Sequence, residues 1–320
     1  MRKAFRNILL PALMAFAGPA HAAYPERAIE MVIPFPAGGG GDLSVRVIAA
    51  ALTEKLGQPV RVSNSTGAGG VIGMSKVANA PADGYTLVYG AVDAFAVNPF
   101  VFRKLPYQYK DFALVGLGSR TGLLLVVSPE LPINNIAQFI AYARANPGRL
   151  AWGSAGTALS SHQLLEYVKQ QDGLDILHVP YSGGAAAVND FLGMRVNVIA
   201  NTAGSSAQHI KSGQMRAIGY TLPVRTPVLP EVTTFAEQGR PDVDIDVKYA
   251  VFAPAATPKD VLRRLQKELR EVLASPAVIE ALKKIDYVPF NLTVEEGEKL
   301  MREETRKKRT IVEQSGLKLD

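Results

Sequence analysis

"IPFPAGGGGDLSVRVIAAAL", residues 33–52, reads as a strand end, four glycines, an aspartate and the start of a helix. A strand, a glycine turn and a helix N-terminus are a common cradle for phosphate. A P-loop, however, needs a lysine and a hydroxyl residue after its last glycine, and Asp42 and Leu43 follow here. The dinucleotide fingerprint Gly-x-Gly-x-x-Gly also fails, because Leu43 or Ser44 takes the place of its last glycine. The stretch therefore predicts an anion site that does not bind a nucleotide.

The same pattern recurs four times further along the chain. The recurrences are NSTGAGGVIGMSKVA (64–78), WGSAGTALSSHQLLEYV (152–168), VPYSGGAAAVNDFL (179–192) and ANTAGSSAQHI (200–210). One such turn is uninformative, but five suggest several helix N-termini around one crevice at the carboxyl ends of strands. Each N-terminus carries about half a positive charge, so the crevice suits an anion such as a carboxylate. In the first turn we expect Asp42 to be the N-cap of its helix.

Apolar, strand-like runs alternate with helical patterns through most of the chain. Examples of the strands are AIEMVIPF (28–35), TLVYGAV (86–92) and KYAVFAP (248–254), and the last 60 or so residues are mainly helical. Alternating strands and helices predict an α/β fold with largely parallel sheets.

The first 22 residues read as a secretory leader. Three basic residues, an apolar run from Ile8 to Ala17 and the sequence Ala20-His21-Ala22 are typical of a signal peptide cleaved after Ala22. A membrane anchor is the alternative, but the run is shorter than the about 20 residues that a span needs. Without the three basic residues of the leader, the net charge of +6 falls to +3, which gives little support to a nucleic-acid partner.

Residues for catalysis or metal binding are scarce. The sequence contains no cysteine, so disulfides, thiol chemistry and zinc–thiolate sites are excluded. The histidines after the leader, His162, His178 and His209, belong to no metal-binding motif. GSAG (153–156) is not the Gly-x-Ser-x-Gly nucleophile elbow, and we interpret His162 as a packing or hydrogen-bonding residue rather than a general base. We expect no metal and no cofactor.

Several segments match a known family in order and spacing. They include YPERAIEMVIPFPAGGGGD from Tyr24, GQPVRVSNSTGAGGVIGMSKVANAPADGYTL from Gly57, ANPGRLAWGSAGTALSSH from Ala145 and HVPYSGG from His178. Together they resemble the Bug family of periplasmic solute receptors, the binding component of tripartite tricarboxylate transporters. The resemblance implies a two-lobed α/β periplasmic-binding-protein fold (Venus flytrap, type II-like) with a ligand cleft between the lobes. It implies a periplasmic monomer that binds a small organic acid, a mono- or dicarboxylate, and catalyses nothing.

The resemblance also implies which residues hold the ligand. The first glycine turn and the loop at 153–161 would form the two sides of a carboxylate clamp, and neighbouring turns would complete its walls. The residues implied on the first lobe are Pro36, Ala37, Gly38, Gly39, Gly40, Asp42, Gly67, Gly69, Val92 and Asp93. Those implied on the second lobe are Ser154, Ala155, Thr157, Ser160, Ser161, Tyr181 and Asn201.

Two charged residues depart from the family's pattern and leave alternatives open. Lys248, if it faces the cleft, would pair with a second carboxylate of the ligand; otherwise it is a solvated surface lysine. Asp93 would accept a hydrogen bond from an ammonium or hydroxyl group of the ligand, or would cap a turn. The apolar Val92, Ala155, Ala158 and Leu159 suit a ligand with an apolar body.

The resemblance further predicts the domain division and the partners. After the signal peptide (1–22), lobe 1 would comprise residues 23–122 and 250–320, and lobe 2 residues 123–249. The crossings at 120–127 and 246–252 would form the hinge. Permease subunits in the membrane would receive the ligand; the alternatives are a receptor for a sensor protein, or an exported hydrolase that uses Ser154, Ser160 or Ser161 with His162.

Overall fold

A computed structural model describes residues 24–243 and 245–315 of the chain. The predicted signal peptide and its cleavage site lie outside the described residues. Within those two ranges, none of the helices combines the length and the apolar character that crossing a bilayer requires.

Strands and helices alternate along the described chain, as the sequence predicts. The strands are β1 (Ile29–Ile33), β2 (Val60–Asn64), β3 (Thr86–Ala91), β4 (Phe112–Gly122), β5 (Leu124–Val127), β6 (Ala151–Ser154), β7 (Leu177–Pro180), β8 (Val198–Asn201), β9 (Arg216–Tyr220), β10 (Asp246–Pro254) and β11 (Val288–Pro289). The helices are α1 (Gly40–Leu56), α2 (Val71–Ala78), α3 (Asp93–Ala96), α4 (Asn98–Val101), α5 (Ile136–Ala145), α6 (Ser160–Asp172), α7 (Gly184–Leu192), α8 (Ala203–Lys211), α9 (Lys259–Ala274), α10 (Pro276–Lys283) and α11 (Val294–Ser315).

The strands form two separate sheets. The first has the order β11-β4-β10-β3-β1-β2, and the second has the order β7-β6-β8-β5-β9. Neighbours joined by a helical crossover are parallel, such as β1 with β2 and β3, and β6 with β7 and β8. The strands at the crossings between the sheets, β10 and β5, pair antiparallel with their neighbours, and β11 pairs antiparallel with β4. The prediction of largely parallel sheets is therefore wrong. We call the part built on the first sheet lobe 1 and the part built on the second sheet lobe 2.

Both faces of the first sheet are buried, which explains the continuous apolar run in β1. Successive side chains of a strand point to opposite faces. Ile29, Met31 and Ile33 therefore pack against one helical layer, which includes α1 and α9. Val32 packs on the other face with Met74 of α2. This packing fixes the carboxyl end of β1 and, with it, the position of the glycine turn that follows.

The chain crosses between the lobes twice, and the two crossings are tied together by hydrogen bonds. The Gly122 N–H donates to the Tyr220 hydroxyl at 3.0 Å, and the Leu123 N–H donates to the Thr221 hydroxyl at 2.9 Å. That hydroxyl donates in turn to the Ile245 carbonyl. Residues 246–249, which the sequence assigns to lobe 2, pair with β4 in the first sheet. Strand β10 begins two residues before the predicted strand 248–254, at the charged Asp246, which precedes the apolar run.

Candidate functional site

A small cavity lies between the lobes, beside the turns that follow β1, β3, β6 and β8. Its volume is about 50 Å³, room for a few water-sized groups, because one water needs roughly 10–15 Å³. Lobe 1 lines it with Phe35, Pro36, Gly39, Gly40, Gly41, Ala91, Asp93, Val247 and Tyr249. Lobe 2 lines it with Leu123, Ala155, Leu159, Ser160, Ser161, Gly184, Ala200, Asn201 and Thr202.

Three helices begin at the wall of this cavity with their first N–H groups uncapped by any side chain of the described chain. They are α1, whose N-cap is Gly39, α7, which starts at Gly184, and α8, whose N-cap is Thr202. A helix N-terminus presents unpaired N–H groups and a partial positive charge. Glycine lets the backbone of α1 approach a bound group closely. The cavity therefore has the donors and the potential to hold an anion.

Asp42 has a different place from the one predicted. Helix α1 begins at Gly40, so Asp42 lies inside its first turn, and the prediction that it is the N-cap is wrong. Its buried carboxylate faces away from the cavity and accepts from Gly38 N at 3.0 Å, Asn64 Nδ2 at 2.9 Å and both Nε and Nη2 of Arg46 at 2.9 and 2.8 Å. These bonds hold the glycine turn against α1 and β2, so Asp42 shapes the cavity wall without lining it.

We predict that Asp42→Asn lowers the free energy of unfolding by about 1–3 kcal/mol at pH 7. Burial raises the pKa of Asp42, but the bonds from Arg46, Asn64 and Gly38 outweigh it and hold the pKa below its usual value. The stabilisation is therefore present above the unfolded pKa of 3.8 and is lost as the pH falls through the lower folded pKa. Urea unfolding from pH 7 down to pH 3 checks both statements.

A matched control is Asp260→Asn, which changes an exposed aspartate in the first turn of α9. It removes the same charge from the first turn of a helix but breaks no network. We expect a much smaller loss of stability. An equal loss in the two variants would show that the helix dipole, not the network around Asp42, accounts for the effect.

Asp93 caps a helix of the opposite lobe. Its Oδ2 accepts from the Ser160 N–H at 3.0 Å and from the Ser160 hydroxyl at 2.7 Å, at the first residue of α6. Its Oδ1 lies 3.7 Å from the Nζ of Lys308, a buried residue of α11. Lys308 also donates to Gln163 of α6. These contacts join lobe 1 to lobe 2, so the structure represents a closed form.

Eight of the implied site residues line the cavity. They are Pro36, Gly39, Gly40, Asp93, Ala155, Ser160, Ser161 and Asn201. Gly69, Thr157 and Tyr181 line a second, more open cleft of about 250 Å³ between the same two lobes. Neither lining includes Ala37, Gly38, Asp42, Gly67, Val92, Ser154 or Lys248. The seven residues outside both linings support the loops, as Asp42 does, or lie beside them.

Lys248 fits neither of its two alternatives. Its Nζ contacts Asp246 and lies 3.2 Å from Glu304 Oε1 of α11. Burial lowers the pKa of Lys248, but the two carboxylates outweigh burial and raise it. Lys248 is thus neither a solvated surface lysine nor a cation that lines the cavity. It joins β10 to α11 within lobe 1.

Tyr249 is the main cavity residue that the sequence analysis missed. Its ring stacks on Tyr89 at a centroid distance of 5.0 Å, and 7% of the residue is exposed. Its hydroxyl meets no hydrogen-bonding partner within residues 24–243 and 245–315, and burial raises its pKa. The signal was the alternation along β10, where Val247 and Tyr249 share one face and both line the cavity. Gly41 and Thr202 were also missed, although both lie in turns that had been singled out.

Two histidines stack beside the 153–161 loop. The rings of His162 and His178 are parallel at 3.7 Å. Ala158 N donates to His162 Nδ1 at 3.1 Å, so the neutral ring carries its hydrogen on Nε2, 3.6 Å from Glu166 Oε1. Ser154 Oγ lies 2.7 Å from Nε2 of His178, not of His162. Ser160 and Ser161 bond to Asp93 and to the Ala155 N–H instead. The serine–His162 pairing considered for a hydrolase is therefore wrong.

The stacked pair of His162 and His178 predicts that the free energy of unfolding decreases at acidic pH. Burial, and next the electrostatic effect of His162, lower the pKa of His178 from 6.5 to about 4; Lys169 acts in the same direction and Glu166 opposes it. Between these two pH values the unfolded chain binds more protons than the folded chain, so stability falls as the pH falls. We expect a loss of about 1–2 kcal/mol, after allowance for partial exposure. His178→Gln should flatten this part of the urea-derived stability curve, whereas His209→Gln should not; identical curves for wild type and His178→Gln would contradict the assignment.

Metal binding finds no support in the described part of the chain, where no three His, Asp or Glu side chains gather closely enough to hold an ion. The polar groups at the cavity are amides, hydroxyls and one carboxylate that is already bonded. They can bind and orient an anion.

Comparisons with known proteins agree with this geometry. A family model described as "Tripartite tricarboxylate transporter family receptor" matches residues 44–317. The periplasmic binding protein BugD is similar with a TM-score of 0.87 and 30% identity over 92% of this chain and 99% of that one. An R. palustris protein solved with adipate is similar with a TM-score of 0.88 and 31% identity over 92% of this chain and 98% of that one. MatC from Rhodopseudomonas palustris, solved with bound malate, is similar with a TM-score of 0.84 and 26% identity over 90% of this chain and 100% of that one. The predicted fold class is confirmed.

Proposed function

The chain belongs to the tripartite tricarboxylate transporter family of receptors, and we propose that it captures a small organic carboxylate between its lobes and delivers it to permease subunits of such a transporter. As a receptor it is a binding protein, not an enzyme. Receptors of this family act in the periplasm, and the leader read from the sequence would bring this chain there. The similar proteins solved with adipate and with malate support a carboxylate as the ligand.

The observation that carries the proposal is the uncapped N-terminus of α1 at the cavity wall. A carboxylate at Gly40 and Gly41 would accept from backbone N–H groups in a site shielded from water, where such bonds are strong. Thr202 and Asn201 bring hydroxyl and amide groups from lobe 2 to the same cavity. A ligand that touches both lobes would be bound only in the closed form.

Closure therefore couples binding to recognition by the permease. The ligand shifts an equilibrium between open and closed lobes toward the closed form, in proportion to its preference for that form. The hydrogen bonds that Ser160 donates to Asp93 and Lys308 donates to Gln163 form only when the lobes meet. A rigid rotation about the two crossings, tied together at Leu123 and Thr221, would suffice.

The test is ligand-dependent thermal stabilisation of the mature chain by butyrate, hexanoate, lactate, succinate, malate, adipate and citrate. A ligand at 100 times its dissociation constant adds about 2.7 kcal/mol to the free energy of unfolding. We expect at least one of these acids to raise the melting temperature in a concentration-dependent way. If none of them does so at millimolar concentration, the carboxylate proposal fails.

A further inference from the structure

We infer that the cavity is built for a monocarboxylate with an apolar body and discriminates against dicarboxylates. This inference rests on the proposed function and narrows its ligand class. It rests on the positions of the charged side chains in and around the cavity.

The protein's own carboxylate already fills one of the anion positions between the lobes. Asp93 Oδ2 takes both the N–H and the hydroxyl of Ser160, the first residue of α6. A helix N-terminus is the natural seat for a carboxylate, and α6 supplies one from lobe 2. At the start of α6, a carboxylate of a ligand would therefore have to displace Asp93 or lie next to it.

A second carboxylate would also find no cation to pair with. Apart from Tyr249, Asp93 is the one described residue of the cavity lining that has an ionisable side chain. Lys248 lies outside the lining and is held by Asp246 and Glu304. Lys308 donates to Gln163, and its Nζ lies 3.7 Å from Oδ1 of Asp93, the oxygen that does not bind Ser160. A buried carboxylate without a partner is costly, and a like charge nearby raises that cost.

Of the three uncapped helix N-termini at the cavity, that of α1 is the one beside which a second observation points to a ligand. That observation is Tyr249. More than nine-tenths of Tyr249 is buried, and its hydroxyl is unpartnered in the described chain. A Cβ built on Gly41 would lie 2.7 Å from that hydroxyl, so the phenol and the N-terminus of α1 meet at one point. One carboxylate could accept from both.

The rest of the lining suits carbon rather than charge. It includes the side chains of Phe35, Leu123, Leu159 and Val247, together with Ala91, Ala155 and Ala200. An alkyl or other apolar group buried there gains roughly 25 cal/mol per Å². The cavity thus combines an anion-binding position at the start of α1 with an apolar wall, and this arrangement matches a monocarboxylate with an apolar body.

The experiment compares acids of equal carbon number by calorimetric titration of the mature chain. The pairs are butyrate with succinate and hexanoate with adipate. We expect each monocarboxylate to bind at least about tenfold more tightly than the dicarboxylate of the same carbon number. Asp93→Ala vacates the seat at Ser160 and should shift this ratio at least about tenfold toward the dicarboxylate. Asp93→Asn, which removes the charge but keeps an acceptor in place, should shift it less.

Gln163→Ala is the matched control. It removes another contact between the lobes, the bond from Lys308, together with the bond from Gln163 Nε2 to the Ala158 carbonyl, but it replaces no residue that lines the cavity. It should weaken both members of a pair alike and leave their ratio unchanged.

The inference is overturned if a dicarboxylate binds wild type as tightly as its partner, or if neither Asp93 variant changes the ratio. If Asp93→Ala does not fold, the wild-type ratio and Asp93→Asn decide. Failure of every acid to bind would instead remove the proposed function and the inference together.

Discussion

Gly183→Ala is expected to weaken carboxylate binding by about 5- to 100-fold while leaving each lobe folded. Gly183 precedes α7 on lobe 2, and a Cβ added there would lie 2.4 Å from Pro36 Cδ on lobe 1. Its φ of 164° is extended backbone that alanine also adopts, so the substitution adds no local strain. The clash arises only when the lobes meet. Overpacking of this kind costs about 1–3 kcal/mol, and every 1.4 kcal/mol is about tenfold in affinity.

The measurement is calorimetric titration with the acid of the panel that binds most tightly, together with urea unfolding of the ligand-free chain. The control is Gly193→Ala, which follows the other end of α7 at a φ of −80° and whose Cβ would meet Asn189 O at 3.4 Å, a tolerable contact. The control should bind as wild type does. Unchanged affinity of Gly183→Ala would mean that the bound form does not close to the contact between Gly183 and Pro36.

Gly41→Ala is expected to reduce carboxylate affinity by about 100-fold or more, equal to about 2.8 kcal/mol. Within a helix, alanine is ordinarily about 1 kcal/mol better than glycine. Here the added Cβ would lie 2.7–2.9 Å from three atoms of the Tyr249 ring and hydroxyl. That ring cannot yield easily, because it stacks on the buried Tyr89. Both the methyl group and the displaced phenol would then obstruct the anion position at the start of α1.

A double variant separates the two consequences of that clash. Tyr249→Leu makes room for the methyl group, so Gly41→Ala should cost less stability in the Tyr249→Leu background than in wild type. Affinity should stay low, since the methyl group still covers the start of α1. Urea unfolding and titration of the four proteins provide the cycle. Wild-type affinity in Gly41→Ala would place the carboxylate elsewhere in the cleft.

The fold was predictable because its signals are local. Apolar runs such as β1 and the glycine turns after them depend on neighbours in sequence, and they indicate strands, helices and the edge where ligands bind. The turn at Gly39 and Gly40 and the loop at Ser160 and Ser161 do lie at the cavity. The sequence therefore indicated residues that line the cavity, though not the part that each side chain plays there.

The roles of the charged residues depended on partners far away in the chain. Asp93 meets Ser160, 67 residues later, and only because the two lobes close on each other. Lys248 meets Glu304 of α11, so its charge is satisfied within lobe 1. Asp42 turned back toward Gly38 because Arg46 and Asn64 hold its carboxylate. No pattern of neighbouring residues specifies such pairings.

The central claim is that one carboxylate is held at the N-terminus of α1 between closed lobes. A crystal structure of the mature chain with the tightest acid of the panel tests it most directly. The account predicts a carboxylate oxygen within about 2.7–3.2 Å of the Gly40 or Gly41 backbone nitrogen, with Asp93 still bonded to Ser160. A ligand carboxylate seated at Ser160 with Asp93 displaced, or bound outside the cavity lined by Gly41 and Tyr249, would contradict it.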